Sequence, residues 1–293
     1  MTIVVGYLAG RSGRSTLHLA VEAARVLKTS LTVVTVVPKP WMTPSPARID
    51  AEYAAWADQL GAESHREAKH CLDQIAEGLE IGYHKVANRT AGEGLLEAAE
   101  ELNAEVLVVG SSTNGALGQI VLGSTTDWLL HASPVPVAIS PRGYRGVRTG
   151  TLTRITCAYS GTPESVRVVE RVVALTARLD VAMRVISFAI RGRTMFPPEV
   201  GLHAEDSLLE AWAEQLRGML AKLKSDGIVG EDVVLQVVTG NGWDEALDRA
   251  EWEDGELLTL GTTSRRSIKG VFLGSHGAKI IRHSPVPVLV LPS

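Results

Sequence analysis

Two loops of this chain hold the residue types that are best suited to binding an anion. The first covers residues 110–124 and the second covers residues 261–275. Each combines glycines with small hydroxyl residues, and each follows an apolar run and precedes a helical pattern. At a helix start, free backbone N–H groups and a partial positive charge attract anions. We therefore predict that both loops can cradle an anion or a phosphate group.

The two loops are parts of a long internal repeat. Gly110 corresponds to Gly261, and the other landmarks of the repeat keep the same offset of 151 residues (261 minus 110). A repeat of this length indicates two similar domains in one chain rather than a short-period solenoid. We predict a first domain at residues 1–142, a linker at 143–151 and a second domain at 152–293.

The composition excludes several classes of protein. Hydrophobic residues make up 45% of the 293 residues and charged residues 21%, which is typical of an ordered globular protein. A net charge of −4 does not favour nucleic acid or an anionic membrane as a partner. No apolar run reaches membrane-spanning length, so we expect a cytoplasmic protein. Cys71 and Cys157 have no metal-site spacing, and we expect both to be small buried hydrophobic residues.

The elements that must position the loops follow a repeating order. In each half, five short apolar, β-branched runs alternate with patterns of helical spacing. This order predicts an α/β fold with a doubly wound, five-stranded, mostly parallel sheet in each half. The two loops then follow the fourth strand of their respective sheets.

The last strand of each half contains a proline. Pro136 and Pro287 cannot donate to a strand ladder, which favours a position at a sheet edge. An apolar edge needs a cover. We therefore predict that residues Val135 to Ile139 and Val286 to Leu291 pair with each other and join the halves as an intramolecular pseudo-dimer. A further homodimer of whole chains is left open.

The loop, the following helix and the sequence SPVPV before each last strand resemble the signature of the universal stress protein (UspA) family. The resemblance covers nearly the whole chain as two tandem copies. It implies the adenine nucleotide alpha hydrolase-like fold, dimerisation through the last strand and, in many members, ATP binding through G-x-x-G, nine residues and G-[ST]. The corresponding residues are Gly110, Thr113, Gly123 and Ser124 in the first copy and Gly261, Ser264, Gly274 and Ser275 in the second. Both copies keep the nine-residue spacing, and both replace the middle glycine.

The resemblance also implies contacts to the nucleoside. Family members that bind ATP usually carry an aspartate at the end of the first strand, where this chain has Leu8 and Ser160. Adenine contacts come from the backbone near the end of the second strand, which corresponds to Val36 and Phe188. The six tryptophans are scattered, and we expect them to pack between helices and sheet rather than to form a stacking platform.

The two implied sites differ in charge. Asp127 follows Ser124 by three residues, which predicts a capped helix start with a negative charge where a phosphate would bind. The second copy has Ala278 there, and its loop carries cationic candidates at Arg265, Arg266, Lys269 and His276. We therefore favour the second site. The residues predicted for the second site are Ser160, Phe188, Gly261, Ser264, Arg265, Gly274, Ser275 and His276. Those predicted for the first site are Leu8, Val36, Gly110, Thr113, Gly123, Ser124 and Thr125.

Three functions are consistent with these residues. The favoured one is a stress-response regulatory protein that binds ATP, with Mg²⁺ only alongside ATP, or another adenine nucleotide. The second is an interaction or scaffold protein in which the loops are closed, with glycines forming turns and Ser124 and Ser275 capping helices. The third is a slow ATP hydrolase or phosphotransferase that uses Ser275 and His276. The sequence has no Ser-His-Asp order, no pair of carboxylates at a spacing typical of catalysis and no H-E-x-x-H motif. We therefore expect a protein without enzymatic activity rather than an enzyme.

Overall fold

A computed structural model of the chain describes residues 1–10, 13–39, 47–148, 150–191, 202–264, 271–272 and 275–292. The first half contains β1 (Thr2–Gly6), α1 (Arg14–Leu27), β2 (Ser30–Pro38), α2 (Ala47–Ile75), β3 (Ile81–Asn88), α3 (Ala91–Glu101), β4 (Ala104–Gly110), α4 (Ser124–Ala132) and β5 (Val137–Ser140). The second half contains β6 (Arg154–Ala158), α5 (Pro163–Leu179), β7 (Ala182–Ile190), α6 (Leu202–Ser225), β8 (Val234–Gly240), α7 (Trp243–Asp248), β9 (Glu256–Gly261), β10 (Thr263–Ser264), β11 (Val271–Phe272), α8 (Ser275–His283) and β12 (Val288–Leu291).

The strands form one continuous sheet of ten strands. Its order is β3-β2-β1-β4-β5-β12-β9-β6-β7-β8, and all pairs within each half are parallel. The predicted doubly wound, five-stranded α/β sheet is therefore confirmed in both halves. A short antiparallel ribbon of β10 and β11 in the second loop was not predicted.

The two halves meet through their last strands. β12 pairs with β5 in antiparallel register, with Val288 opposite Ile139 and Val290 opposite Val137. The predicted pairing is present, but the strands begin after the prolines rather than at residues 135 and 286. Each last strand is the edge strand of its own half, as predicted, but Pro136 and Pro287 lie one residue before these strands rather than inside them. The Pro136 carbonyl still accepts a hydrogen bond from the Leu107 N–H at 2.9 Å.

Both faces of the sheet are covered by helices, and the core on each face is shared by the two halves. On one face, Ala138 of β5 and Leu289 of β12 belong to one buried cluster with residues from α1, α2, α5 and α6. On the other face, α3 and α4 pack in the same cluster as α8. The buried, unpaired positions of Cys71 and Cys157 confirm the prediction for the cysteines. Among the helices described above, none is both long and apolar enough to cross a membrane.

Candidate functional site

A cavity of about 360 Å³ opens in the second domain at the carboxyl ends of β6, β7 and β9. The strand order reverses between β9 and β6, and such a reversal leaves the crevice in which doubly wound folds bind their ligands. The volume falls within the range of small-molecule pockets, which is about 300–1,000 Å³. The cavity is lined by residues of the loop after β6 and of helices α5 to α8.

Four residues of the site predicted for the second domain lie on this cavity. They are Ser160, Phe188, Gly261 and His276. Ser264 lies in β10 and Ser275 is the first residue of α8, so the backbone of both belongs to the elements that flank the loop. The structure therefore brings together the nucleoside side of the predicted site. The three cationic candidates of the loop and its last glycine fall outside the described residues: Arg265, Arg266, Lys269 and Gly274.

The loop after β6 is held by its own hydroxyl groups. The Ser160 Oγ lies 3.3 Å from the Thr162 Oγ1. Thr162 caps α5, because its Oγ1 accepts from the Ser165 N–H at 3.2 Å and its N–H donates to the Ser165 Oγ at 3.0 Å. This reciprocal arrangement satisfies two backbone donors at once. Ser160 is exposed at the cavity, beside the hydroxyl of Thr162. It stands where the resemblance implies an aspartate in members that bind ATP.

Three aromatic rings form one wall of the cavity. The Phe188 and Trp243 ring centroids are 5.8 Å apart, and those of Trp243 and His276 are 5.5 Å apart. Trp243 is the first residue of α7 and His276 is the second residue of α8. The rings are tilted by 57° and 40° to one another, so neither pair is stacked face to face.

The first glycine of each loop has a packing role. A Cβ on Gly261 would lie 2.2 Å from the Val168 Cγ2, and a Cβ on Gly110 would lie 2.3 Å from the Thr16 Oγ1. Both distances are far below a van der Waals contact. Gly110 and Gly261 therefore let α1 and α5 approach the sheet closely, whether or not a ligand binds.

The matching region of the first domain is packed more tightly. A Cβ on Gly94 in α3 would lie 2.6 Å from the Val36 Cγ1, and a Cβ on Gly92 would lie 2.6 Å from the Trp128 ring. Ala91 stands at the position of Trp243, because α3 begins at Ala91 after its N-cap Thr90 and α7 begins at Trp243 after its N-cap Gly242. Helix α3 thus packs directly on Val36 and α4, and neither Leu8 nor Val36 lines any of the cavities described in this structure.

Helix α4 of the first domain begins without a side-chain cap. Its N-cap is Gly123, and the predicted capping by Ser124 and Asp127 is wrong. Ser124 is already inside the helix, and Asp127 contributes only its backbone N–H, which donates to the Gly123 carbonyl at 2.9 Å. The Asp127 carboxylate does lie in the first turn, as predicted. Thr125, in the same first turn of α4, is half-buried.

The first-domain loop is closed on itself by hydrogen bonds. The Ser112 N–H donates to the Val121 carbonyl and the Val121 N–H donates to the Ser111 Oγ, both at 2.8 Å. Ile120 is fully buried, and it holds the end of the loop against the core. Thr113 lies near the turn and lines a different cavity, together with Gly110. Gly110 and Thr113 thus line a cavity whose lining includes neither Leu8 nor Val36.

A buried charged cluster ties the strands of the second domain at the end opposite the cavity. The Glu256 carboxylate is fully buried and accepts from Arg184 at 2.6 Å and from Arg154 at 2.7 Å. Arg184 also lies 5.0 Å from the Trp252 ring centroid. Burial alone would raise the pKa of Glu256, but hydrogen bonds from Arg154 and Thr156 outweigh it and hold the pKa below its ordinary value.

Sequence reasoning missed Trp243 and Thr162 as cavity residues. The wide spacing of the tryptophans in the sequence favours packing roles, whereas α7 brings the Trp243 ring between Phe188 and His276. The pairing of Thr162 with Pro163 predicts a helix start but not a contact to Ser160. Among the described residues, no group of three or more His, Cys, Asp or Glu side chains could hold a metal ion.

Comparisons with known proteins agree with the fold. The model of the "Universal stress protein family" matches residues 1–141 and again residues 151–292. Universal stress proteins of Mycobacterium tuberculosis and Mycobacterium bovis are each 61% identical to the chain over 292 residues, with 100% of both sequences covered. The crystal structure of a universal stress protein from Archaeoglobus fulgidus matches with a TM-score of 0.59 and 18% identity, and it covers 99% of this chain and 96% of its own.

Proposed function

Because the chain belongs to the universal stress protein family, we propose that it is a stress-response regulatory protein that binds an adenine nucleotide in the cavity of its second domain. ATP is the first candidate, and Mg²⁺ would enter only with it. The observation that carries the proposal is the aromatic wall of Phe188, Trp243 and His276 on a cavity of about 360 Å³. The proposed domains are residues 1–142 and 152–293, and the two family matches support this division.

The cavity lining suits a purine. An adenine ring could lie against the face or edge of Trp243, because aromatic stacking on a base contributes about 1–3 kcal/mol. The Ser160 hydroxyl, 3.3 Å from the Thr162 hydroxyl, could donate to or accept from a ribose hydroxyl. It replaces the charged acceptor of the family's aspartate by a neutral group, which supports a weaker hold on the ribose.

The phosphates would extend towards the start of α8. Residues 275 and 276 open this helix, and its first turn contains no acidic residue, whereas α4 has Asp127 there. Free N–H groups and the helix dipole stabilise a negative charge at such an end. We propose that occupancy of this site by the nucleotide is the regulatory signal.

Binding of adenosine and ATP to the full chain tests this function. We expect the Trp243→Ala variant to bind adenosine about tenfold or more weakly than the wild type, because it loses one stacking surface. The matched control is Trp56→Ala, which removes a half-exposed tryptophan on α2 and should leave the affinity unchanged. Saturable binding that is equal in all three proteins, or no binding at millimolar ligand with an intact fold, would remove the proposal.

An interaction or scaffold role is the second candidate. The close packing of α3 on Val36 and the self-bonded loop of the first domain favour it for that half of the chain. We do not propose hydrolysis: within the described lining of the second-domain cavity, the only carboxylate is Glu164, which pairs with Arg167 at 3.4 Å. A cytoplasmic location and a homodimer of whole chains stay predictions.

A further inference from the structure

A larger cavity, of about 700 Å³, lies in the first domain. Its walls are the amino end of α1, the carboxyl ends of β4 and β5, and residues 141–145 after β5. It includes Gly110, which corresponds to Gly261 of the second-domain cavity, but it opens in the other direction, towards β5. It is therefore separate from the proposed nucleotide site.

The lining of this cavity is cationic. It contains Arg14, Arg142, Arg145 and His18, and among its described residues there is no Asp or Glu. Burial lowers the pKa of His18, and the charges of Arg145 and Arg14 lower it further, so His18 is a neutral group that lies near these two arginines. A cavity lining with three arginines and no carboxylate favours an anionic ligand.

Two hydrogen-bonding groups are left for a ligand at this cavity. The Ser140 side chain is fully buried, lines the cavity, and its Oγ has no hydrogen-bond partner among the described residues. Buried hydroxyl groups without a partner are rare, and a bound ligand or water would satisfy this one. Helix α1 begins at the cavity with Gly13 as N-cap and no side-chain cap.

The second domain has replaced both features. Leu291 stands at the position of Ser140, at the repeat offset of 151 (291 minus 140). The start of α5 is capped by the side chains of Thr162 and Ser165, whereas the start of α1 has no side-chain cap. The arrangement around Ser140 is thus a property of the first domain rather than of the repeated fold.

The walls of the cavity are fixed in place. The Gly143 N–H donates to the Ser15 Oγ at 2.9 Å, and the Gly118 N–H donates to the Arg142 carbonyl at 2.8 Å. The Arg142 guanidinium donates to the Gly115 carbonyl. These bonds tie residues 142 and 143 to α1 and to the first loop, so that the cavity is pre-formed.

We propose that this cavity binds a small phosphate-bearing anion, held by Arg14, Arg145, the Ser140 hydroxyl and the amino end of α1. Guanidinium groups bind phosphate through paired charge-assisted hydrogen bonds, and the free N–H groups of α1 add a further positive end. The anion is either an inorganic phosphate compound or the phosphate part of a larger metabolite. This site does not depend on nucleotide binding in the second domain.

Calorimetric titration of the full chain with inorganic pyrophosphate tests the site. We expect saturable binding to the wild type, weakened at least about tenfold in the Arg14→Ala/Arg145→Ala variant, since each lost charged hydrogen bond contributes a factor of about that size. The matched control is Arg89→Ala/Arg148→Ala, two exposed arginines outside the cavity, with no expected loss. Absent binding, or equal weakening in both double variants, would overturn the proposal.

Two further variants separate this site from the second-domain cavity. Ser140→Ala should weaken pyrophosphate binding several-fold, and Trp243→Ala should leave it unchanged. Adenosine, which has no phosphate, should not compete with pyrophosphate, whereas ATP competes only if the site accepts the phosphates of a larger metabolite. Competition by adenosine, or loss of pyrophosphate binding in Trp243→Ala, would place the anion in the nucleotide cavity and contradict the proposal.

Discussion

The two domains have the same fold, yet the cavities at the carboxyl ends of their strands differ in position and lining. In the second domain the space opens towards β6 and β7 and is lined by aromatic rings. In the first domain α3 packs on Val36 through Gly94, and the space opens instead towards β5 and is lined by arginines. A duplicated fold can therefore keep its backbone and change the side chains that line its cavities through a few helix residues.

The domains also differ at the amino ends of their strands. In the second domain Glu256 binds Arg154 and Arg184 in a buried cluster. The first domain has Thr2 and Thr32 in β1 and β2, with their Oγ1 atoms 3.2 Å apart. At this end of the sheet, the described part of the chain thus carries its buried ion pairs in the second domain, and this difference gives the largest predicted effect.

We expect Glu256→Gln to destabilise the second domain by about 3–5 kcal/mol, because it leaves two buried arginines without their counter-charge. Urea unfolding followed by domain-specific hydrogen exchange measures this loss. Glu253→Gln is the control, since Glu253 is largely exposed and should cost under about 1 kcal/mol. Equal losses in the two variants would show that the buried cluster does not distinguish the domains.

The same cluster predicts a dependence on pH. Because the folded state lowers the pKa of Glu256, its contribution is present above the unfolded value near 4.5 and is lost as the pH falls through the lower folded value. The second domain should therefore lose stability on acidification, and Glu256→Gln should flatten that loss. A wild type and variant with the same slope below pH 4.5 would contradict the assignment.

The close approach of helix and sheet is a feature that the domains share. We expect Gly110→Ala and Gly261→Ala each to destabilise the chain by about 1–3 kcal/mol, since the new Cβ would overlap Thr16 or Val168. Thermal unfolding measures both. The double variant Gly261→Ala/Val168→Ala should recover part of the loss, and a loss without recovery would point to a cause other than overlap.

The smallest expected effect concerns the helix starts. Thr162→Ala removes the cap of α5 and should cost about 1 kcal/mol of unfolding free energy. Gly13→Ser, which offers α1 the cap it lacks, should stabilise the first domain by a few tenths of a kcal/mol. Chemical denaturation of both variants compares the two helix ends. A Thr162→Ala variant as stable as the wild type would show that the capping box contributes nothing.

The fold could be predicted well from the sequence because its signals are local. Alternating strand and helix patterns indicate the order of elements, and the constant offset between the loops indicates two copies. The pairing of the last strands also follows, although the pattern places Pro136 inside the strand rather than before it. Helix α2 is continuous through Gly61, where the missing side chain lets the helix pack on Lys85.

The site was harder to predict because its contacts are long-range. The wall of Phe188, Trp243 and His276 joins residues from three separate elements, and no local pattern relates them. In the first domain, the missing side chains of Gly92 and Gly94 make room for the Trp128 ring of α4 and the Val36 side chain of β2. Such packing is fixed only once the helices have docked on the sheet.

Hydrogen exchange of the full chain, with and without saturating ATP, tests the central claim that the second domain holds the nucleotide. We predict protection at residues 159–165, 186–190 and 243–248, with no change at residues 6–10 and 34–38 of the first domain. Equal protection of the corresponding segments in both domains, or protection confined to the first, would contradict the account.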